Sequence, residues 1–194
     1  MPRVKVTNVG EFYQHYPKVA AILTVNAGGK KNAMAAAWHS AVSFKPPLYG
    51  VAVAPKRHTY KLIVEAGEFG INFMSFEAAE LIASVGGSGG SEIDKFRKFK
   101  IAEDKPLKTN VPILKEAYAA YECKLLDNKT YGDHAWMIGE IVAVHFTDDF
   151  FKANGTLDLS KMNPALYLGA ELYITARRES ERLLDRETYG RRKK

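Results

Sequence analysis

Cysteine is nearly absent from this chain, and that absence limits the kinds of site it can hold. Cys123 is the single cysteine among 194 residues, which excludes an internal disulfide framework and a metal site built from several cysteines. No apolar run approaches the ~20 residues needed to span a bilayer, and the first residues lack the apolar core of a signal peptide. We therefore expect a cytoplasmic protein without a membrane partner.

Familiar catalytic and nucleotide-binding motifs are also missing. The chain has no H-E-x-x-H, no Cys/His cluster and no G-x-S-x-G, so zinc hydrolysis and α/β-hydrolase chemistry lack support and we expect no metal. The Gly/Ser segment 86–91 is not followed by Gly-Lys-Ser/Thr, and Glu92 stands where G-x-G-x-x-G needs its third glycine. Its glycines suit a mobile lid, a close approach to a ligand or a plain flexible connection.

The positive charge is concentrated in the last residues. The net charge is +6, and segment 177–194 alone holds eight basic and four acidic residues. We divide the chain into a domain at 1–176 and a basic C-terminal helix or tail at 177–194. Such a tail can touch an acidic partner or simply be solvated. No basic-aromatic interleaving accompanies it, so nucleic-acid binding is unlikely.

The remaining sequence predicts mainly strands. Apolar and β-branched patterns predict strands at 19–26, 33–38, 48–54, 69–74, 118–126 and 136–146. The first two would form a hairpin through the glycine turn at 27–30, and segment 129–133 would connect the last two. In the last strand, alternation predicts a core face made of Ile138, Val142, Val144 and Phe146.

Helices are fewer and short. Segment 59–66 is predicted as a helix with Thr59 as its N-cap and Gly67 past its end. Further helices are expected at 77–85, at 91–99 with Ser91 starting a capping pattern, and at 177–187; segment 166–174 is a last apolar segment. The fold class is thus mainly β, an antiparallel closed or half-closed barrel with helical insertions.

The most informative stretch runs from Asn32 to Leu48. It contains small residues, one Trp and one His, and it ends in Pro46-Pro47, which favours an extended exit. Small side chains allow a flat ligand to lie against the backbone. A tightly packed strand pair followed by a proline turn explains the same pattern.

Two further groups of residues could bind a ligand. Arg57, His58 and Thr59 stand where the helix at 59–66 begins, and a helix N-terminus with an Arg and a hydroxyl suits a phosphate. A solvated basic turn is the alternative. His134 follows a carboxylate at a hairpin mouth and could orient a ligand. Cys123 alternates with apolar neighbours and is expected to be a buried, inert thiol.

Taken in order, these segments resemble the flavin reductase-like family, whose members carry FMN on a split β-barrel. The resemblance is carried by several short segments spread over residues 19–146: Asn32-Ala-Met-Ala-Ala-Ala-Trp38, Ser43-Phe-Lys-Pro-Pro47, Arg57-His-Thr59, Phe69-Gly-Ile-Asn-Phe73, Asp94-Lys-Phe96, Glu122-Cys123, Gly132-Asp-His134 and Gly139-Glu-Ile-Val142. The segment around Tyr167 and Tyr173 also looks like the family's C-terminal end.

The resemblance implies a role for each segment. The flavin ring and ribityl chain would lie along the first segment, with these cofactor-binding residues: Asn32, Met34, Ala35, Ala36, Ala37, Trp38, His39 and Ser43. Arg57, His58 and Thr59 would hold the phosphate, and Ser88 and Lys95 would approach from a flap. Alanines stand where many relatives place Ser or Thr, which shifts hydrogen bonding to the backbone. His134 would be the catalytic residue, beside the exposed flavin face where a nicotinamide stacks.

The resemblance also implies a function and a partner. The expected protein is an NAD(P)H-dependent flavin reductase or oxidoreductase that passes electrons through bound FMN to an unknown acceptor: free flavin, ferric iron or a redox protein. A non-enzymatic flavoredoxin-type electron carrier and, less favoured, a basic nucleic-acid-binding adaptor are the alternatives. A homodimer is expected, with Tyr167, Leu168 and Tyr173 as candidate contacts. The residues do not distinguish NADH from NADPH or, with certainty, FMN from FAD.

Overall fold

A computed structural model describes residues 1–11 and 13–190. In this part of the chain the strands are β1 (Lys18–Val19), β2 (Ala21–Ala27), β3 (Lys30–Ala36), β4 (His39–Phe44), β5 (Pro47–Val53), β6 (Glu68–Met74), β7 (Glu103–Asp104), β8 (Ile113–Leu114), β9 (Ala117–Tyr131), β10 (His134–Phe146), β11 (Ala165–Gly169) and β12 (Leu172–Thr175). The α-helices are α1 (His58–Ala66), α2 (Ala79–Gly86), α3 (Lys95–Lys98) and α4 (Arg186–Tyr189).

A seven-stranded antiparallel sheet forms the body of the molecule. Its strand order is β3-β2-β6-β9-β10-β5-β4. The two edge strands β3 and β4 follow one another in the chain and are separated only by Ala37 and Trp38, so the sheet must curl until its edges meet. The edges share no ladder among the described residues, and the result is the antiparallel split β-barrel that the sequence predicted.

The barrel has a core inside it and a second layer outside it. Inside, Leu23, Phe69 and Met137 pack with Leu62 and Ile63 of α1, which follows the end of β5. Outside, the α2 residues Ile82 and Val85 pack on Ile22 and Ala33 together with the β11–β12 hairpin. Because β2 is covered on both faces, all but one of its seven residues are buried.

Two glycine-dependent features fix this geometry. Gly28 and Gly29 make the predicted β2–β3 turn with φ angles of 56° and 90°, which only glycine adopts easily. At Gly139 a Cβ would lie 2.7 Å from Cβ of Cys123 and from the Phe69 ring. β9 and β10 therefore approach Phe69 closely at a register shift next to Gly139.

Three predicted helices differ from the structure. Thr59 lies inside α1, whose N-cap position is Arg57 without a side-chain cap bond. The helix predicted at 91–99 is shorter in the structure and comprises only α3. Asp94 caps α3 by accepting a hydrogen bond from the Arg97 N–H. Segment 177–187 holds only the 3-10 turn Arg178–Ser180 and the start of α4. Segment 166–174, which was predicted only as apolar, is a hairpin that turns at Ala170 and Glu171. Residues 191–194 of the predicted tail lie outside the described residues.

The predicted core face of the last strand is wrong. Ala135, Met137 and Gly139 are buried, whereas Val144 and Phe146 are 48% and 56% exposed. Both faces of β10 are apolar, so alternation alone did not identify the inner one. The connection before β10 is also shorter than predicted, because β9 continues to Tyr131 and leaves only Gly132 and Asp133 in the turn.

Candidate functional site

A cavity of about 430 Å³ lies where the two edges of the barrel meet. Twelve of the residues singled out from the sequence line it: Asn32, Met34, Ala35, Ala36, Ala37, Trp38, Arg57, His58, Thr59, Ser88, Lys95 and His134. They come from β3, from the start of α1, from the loop after α2, from α3 and from the β9–β10 turn. The fold thus gathers segments that are as far apart as residues 32 and 134.

One wall of the cavity is built from small residues. Ala35, Ala36 and Ala37 form it together with Ala52 and Ala54 at the end of β5. The β5 strand is held to this wall by the hydrogen bond from Ala52 N–H to the Trp38 carbonyl, 2.8 Å long. Because these side chains end at Cβ, a planar ligand can approach the backbone here.

The opposite end of the cavity is cationic. The Lys95 side chain is buried and its Nζ donates to the carbonyls of Val85 and Ala33 at 2.7 and 2.9 Å. Desolvation, and then the charge of nearby Arg57, lower the pKa of Lys95 to about 8. Neither cation forms an ion pair among the described residues. The adjacent N-terminus of α1 adds its partial positive charge.

The glycine loop is packed against this end by close backbone contact. A Cβ on Gly90 would lie 2.5 Å from Oδ1 of Asn32, so the loop backbone rests on that amide. Asn32 is buried and its Nδ2 donates to Thr59 Oγ1 at 2.8 Å, which ties β3 to the first turn of α1. Ser88 is half-buried and donates to the Ser84 carbonyl. The loop therefore closes the cationic end rather than serving as a plain connection.

Aromatic side chains form the open rim. The rings of Trp38 and His134 lie 4.8 Å apart, and His134 Nδ1 is 2.8 Å from Oδ1 of Asp133. On the other side, Trp38 Nε1 donates to the Tyr16 hydroxyl at 2.6 Å, and the Tyr16 ring lies 5.9 Å from that of Tyr167. His134 therefore stands at the entrance, oriented by its neighbouring carboxylate.

Two of the predicted cofactor residues lie elsewhere. His39 points to the other side of β4, where Nδ1 bonds the Tyr49 hydroxyl at 2.8 Å and Nε2 the Val19 carbonyl at 2.9 Å. Ser43 lies farther along the same edge strand and accepts from the Lys45 N–H. Strand alternation turns His39 away from the cavity that its neighbour Trp38 lines.

Three rim residues were not predicted as part of the site. Tyr13 and Tyr16 come from the N-terminal segment, and Tyr167 comes from β11. The aromatic cluster before β1 is visible in the sequence, but nothing local indicates that it crosses the barrel edge. The contact depends on β1 pairing with β11, where Lys18 stands opposite Tyr167.

Cys123 takes no part in the cavity. Cys123 is fully buried in the barrel, and desolvation, then the Glu122 charge, raise the pKa of its thiol to about 12, as expected for an inert thiol. No group of three or more metal-ligating side chains occurs within the described residues. None of the helices described is long and apolar enough to cross a membrane.

Sequence comparison identifies the class of protein that this fold and cavity represent. A profile of the family described as "Flavin reductase like domain" matches residues 13–173. The chain therefore belongs to the flavin reductase-like family.

Two relatives are similar over most of this chain. An uncharacterized protein of Pyrococcus abyssi is 36% identical over 137 residues, covering 71% of this chain and 78% of that protein. One from Aeropyrum pernix is 34% identical over 155 residues, covering 79% of this chain but 58% of that protein. This chain thus spans little more than half of the Aeropyrum relative.

Solved structures show the same fold. An FMN-binding protein from Thermus thermophilus superposes with a TM-score of 0.84 at 32% identity, covering 94% of this chain and 100% of that one. Flavoredoxin from Methanosarcina acetivorans superposes with a TM-score of 0.82 at 27% identity, covering 98% and 100%.

Proposed function

We propose that the protein is an FMN-binding oxidoreductase that takes electrons from NAD(P)H and passes them through FMN to an acceptor. The observation that carries the proposal is the buried Lys95 ammonium beside Arg57 at the N-terminus of α1, at one end of an apolar wall. Family membership and the FMN-binding relative from Thermus thermophilus support the choice of cofactor.

The donor set fits the phosphate of FMN. A buried ammonium without a carboxylate partner is costly, and a phosphate against Lys95 and Arg57 would neutralise both charges. The first turn of α1 offers backbone N–H groups, because no side chain caps it. Ser88 and His58 line the same cavity.

The rest of the cavity fits a planar ring. The alanine wall would bind one ring face, and backbone groups of β3 would bond its polar edge. When bound, FMN would accept a hydride and release electrons singly or in pairs. His134, at the rim beside Trp38, would orient a nicotinamide ring over the open face, with Asp133 holding the imidazole in place.

Flavin binding can be tested through the phosphate. We expect Lys95→Met to weaken FMN binding about 30-fold or more, because it removes a buried charge-assisted contact. Riboflavin, which lacks the phosphate, should bind both proteins equally. Lys98→Met, on the exposed side of the same helix, is the control. Flavin fluorescence on titration gives the dissociation constants, and equal weakening of riboflavin would contradict the assigned phosphate end.

Electron transfer is tested separately. An anaerobic visible spectrum of the FMN-loaded protein, titrated with NADPH and then NADH, should bleach rapidly with the preferred donor. A flavin that stays oxidised with both donors would favour the second candidate, an electron carrier reduced by another redox protein. That candidate is supported by the relative described as a flavoredoxin. A protein that holds no flavin would contradict both.

We further propose that two copies pair through the outer face of the barrel. Phe44 is 92% exposed and Val42 45% exposed on edge strand β4, and Val144 and Phe146 project from β10. Exposed apolar side chains in this number suit a protein contact. Leu168 and Tyr173 remain alternative contacts, whereas Tyr167 lines the cavity. We place this activity in the cytoplasm and propose no nucleic-acid partner.

A further inference from the structure

A second cavity, of about 530 Å³, opens at the other end of the barrel. The strand directions fix its position. Helix α1 follows β5 and closes the end next to Val53, whereas this cavity is lined by Tyr49 near the start of β5 and by Phe73 near the end of β6. Its volume is that of a small-molecule site, and barrel mouths are places where such sites occur.

The floor and walls of this cavity are aromatic. Tyr49 and Phe73 are each 8% exposed, with ring centroids 5.9 Å apart. The Tyr121 ring lies 5.1 Å from Phe73, and Tyr118 lies 6.4 Å from Phe151 on the outer side. These rings pack edge-on and tilted against one another, and their outer edges form the floor of a slot on which another aromatic ring can lie.

Hydrogen-bond donors inside the slot are left without protein acceptors. The Val19 carbonyl can only accept, so His39 Nε2 carries the proton and Nδ1 accepts from the Tyr49 hydroxyl. Desolvation lowers the pKa of the His39 ring. The hydroxyls of Tyr118 and Tyr121 donate to no acceptor among the described residues that line the cavity, so they offer two donors to a ligand oxygen.

The charge around the slot has one sign. Lys18 lies at its rim, and no Asp or Glu belongs to the described residues that line it. A cation would meet a like charge there, whereas a carboxylate would meet an opposite one. The slot therefore combines a cationic rim, an aromatic interior and free hydroxyl donors.

From this arrangement we propose that the open end of the barrel is a binding site for a small aromatic carboxylate. The ring lies against the exposed edges of Tyr49, Phe73 and Tyr121, the carboxylate faces Lys18, and an oxygen substituent accepts from Tyr118 or Tyr121. The site does not depend on the proposed flavin activity. Ala37, in the connection between β3 and β4, lines both cavities. The ligand would therefore lie on the opposite side of this connection from the proposed flavin.

The test uses 4-hydroxybenzoate as the probe and the uncharged 4-hydroxybenzyl alcohol for comparison. Isothermal calorimetry on the full-length, FMN-saturated protein separates this site from the flavin cavity. We expect Lys18→Gln to weaken the carboxylate about three- to tenfold and to leave the alcohol unchanged. The double variant Tyr118→Phe/Tyr121→Phe should weaken both probes about three- to tenfold while keeping the rings.

Matched controls are Lys30→Gln at the start of β3 and Tyr189→Phe near the C-terminus, both exposed, and neither should change binding. Absence of binding to the unaltered protein at millimolar probe would overturn the proposal, as would binding that FMN abolishes or that the slot variants leave intact. If the slot variants instead shift the dimer dissociation constant and no probe binds, the slot is a subunit contact and the proposal fails.

Discussion

Lys95 is a buried lysine, although the charged side chain of lysine is usually exposed to solvent. Its ammonium is buried, satisfied by two carbonyls and close to a second cation. Buried polar groups that are left partly compensated in this way are typical of functional sites, where stability is given up for binding. The residue would therefore connect the stability of the folded protein to the binding of the proposed phosphate.

The lowered pKa of Lys95 predicts proton uptake on FMN binding. The pKa is about 8 in the folded protein against a usual 10.5, so between these values the unfolded chain binds more protons and stability rises with pH. A phosphate dianion would raise the pKa again. At pH 8 we expect uptake of up to about half a proton, measured by calorimetry in buffers of different ionisation enthalpy. Riboflavin should cause none, and FMN binding should weaken above pH 8.

His134 gives a second prediction at this scale. The ring lies at the rim, bonded to Asp133 and next to Trp38, and not at the cationic end. We expect His134→Ala to slow hydride transfer from NAD(P)H about tenfold or more, as loss of an orienting group does. FMN affinity should stay within about twofold. Stopped-flow reduction and flavin titration measure the two, with Tyr131→Phe in the same hairpin as control. Equal losses of both would contradict the assigned role.

Among the structural elements, the long hairpin of β9 and β10 has the most unusual anchor. Glu122 of β9 is fully buried and accepts from the backbone N–H groups of Leu107, Lys108 and Thr109 at 2.6 to 2.8 Å. His145 of β10 lies 2.6 Å from the same carboxylate. One side chain thus fastens the loop before β8 to two strands.

This anchor predicts acid sensitivity. Burial would raise the pKa of Glu122, but the hydrogen bonds outweigh it and lower the pKa to about 2. The stability from this group is therefore complete above the unfolded value of 4.5 and is lost as the pH falls towards 2. We expect Glu122→Gln to lower the free energy of unfolding by about 2–4 kcal/mol at pH 7 and by less at pH 3.

Urea unfolding at both pH values measures the effect of Glu122→Gln. The exposed Glu65→Gln on α1 is the control and should change stability little at either pH. A difference between the unaltered protein and Glu122→Gln that stays constant from pH 7 to pH 3 would show that the hydrogen-bonded carboxylate is not its source.

For the whole molecule, the face of β10 that was predicted to lie in the core is relevant to dimer formation. The residues expected inside the barrel point outwards, where Val144 and Phe146 lie exposed. Apolar side chains exposed to water at this position are unfavourable in a monomer, whereas a second copy could bury them.

We therefore predict that Val144→Glu/Phe146→Glu raises the dimer dissociation constant at least tenfold, because each buried charge would lack a partner. Light scattering after gel filtration gives the mass at several concentrations. Leu184→Glu, exposed in the C-terminal segment, is the control. A monomeric unaltered protein at tens of micromolar, or a double variant that dimerises normally, would contradict this interface.

The C-terminal segment supports a second whole-molecule prediction. Beyond Ala176 the described contacts include an exposed ion pair between Glu181 and Lys152, worth about 0–1 kcal/mol. A chain that ends at Ala176 should keep its FMN affinity within about twofold. Loss of flavin from that chain would show that the segment belongs to the site. Salt-dependent binding of the full chain to a DNA or RNA fragment would revive the adaptor alternative.

The sequence by itself determined the local features of this protein. Strand patterning, the Gly28-Gly29 turn and Gly67 at the end of α1 each depend on neighbours in the chain, and the structure has them. The ordered family segments identified the split barrel and most of the cavity lining. They could do so because each segment is recognised from residues that are close together in the sequence.

Only the tertiary structure decided the features that depend on distant contacts. Both faces of β10 are apolar, so its inner face depends on the packing of Gly139 against Phe69. His39 and Trp38 are adjacent in sequence but serve opposite sides of the barrel edge. The hydrogen bonds that Glu122 accepts and the position of Tyr16 at the cavity rim both depend on contacts between distant parts of the chain. Closure joins residues across long stretches of sequence, and no local pattern records which ones meet.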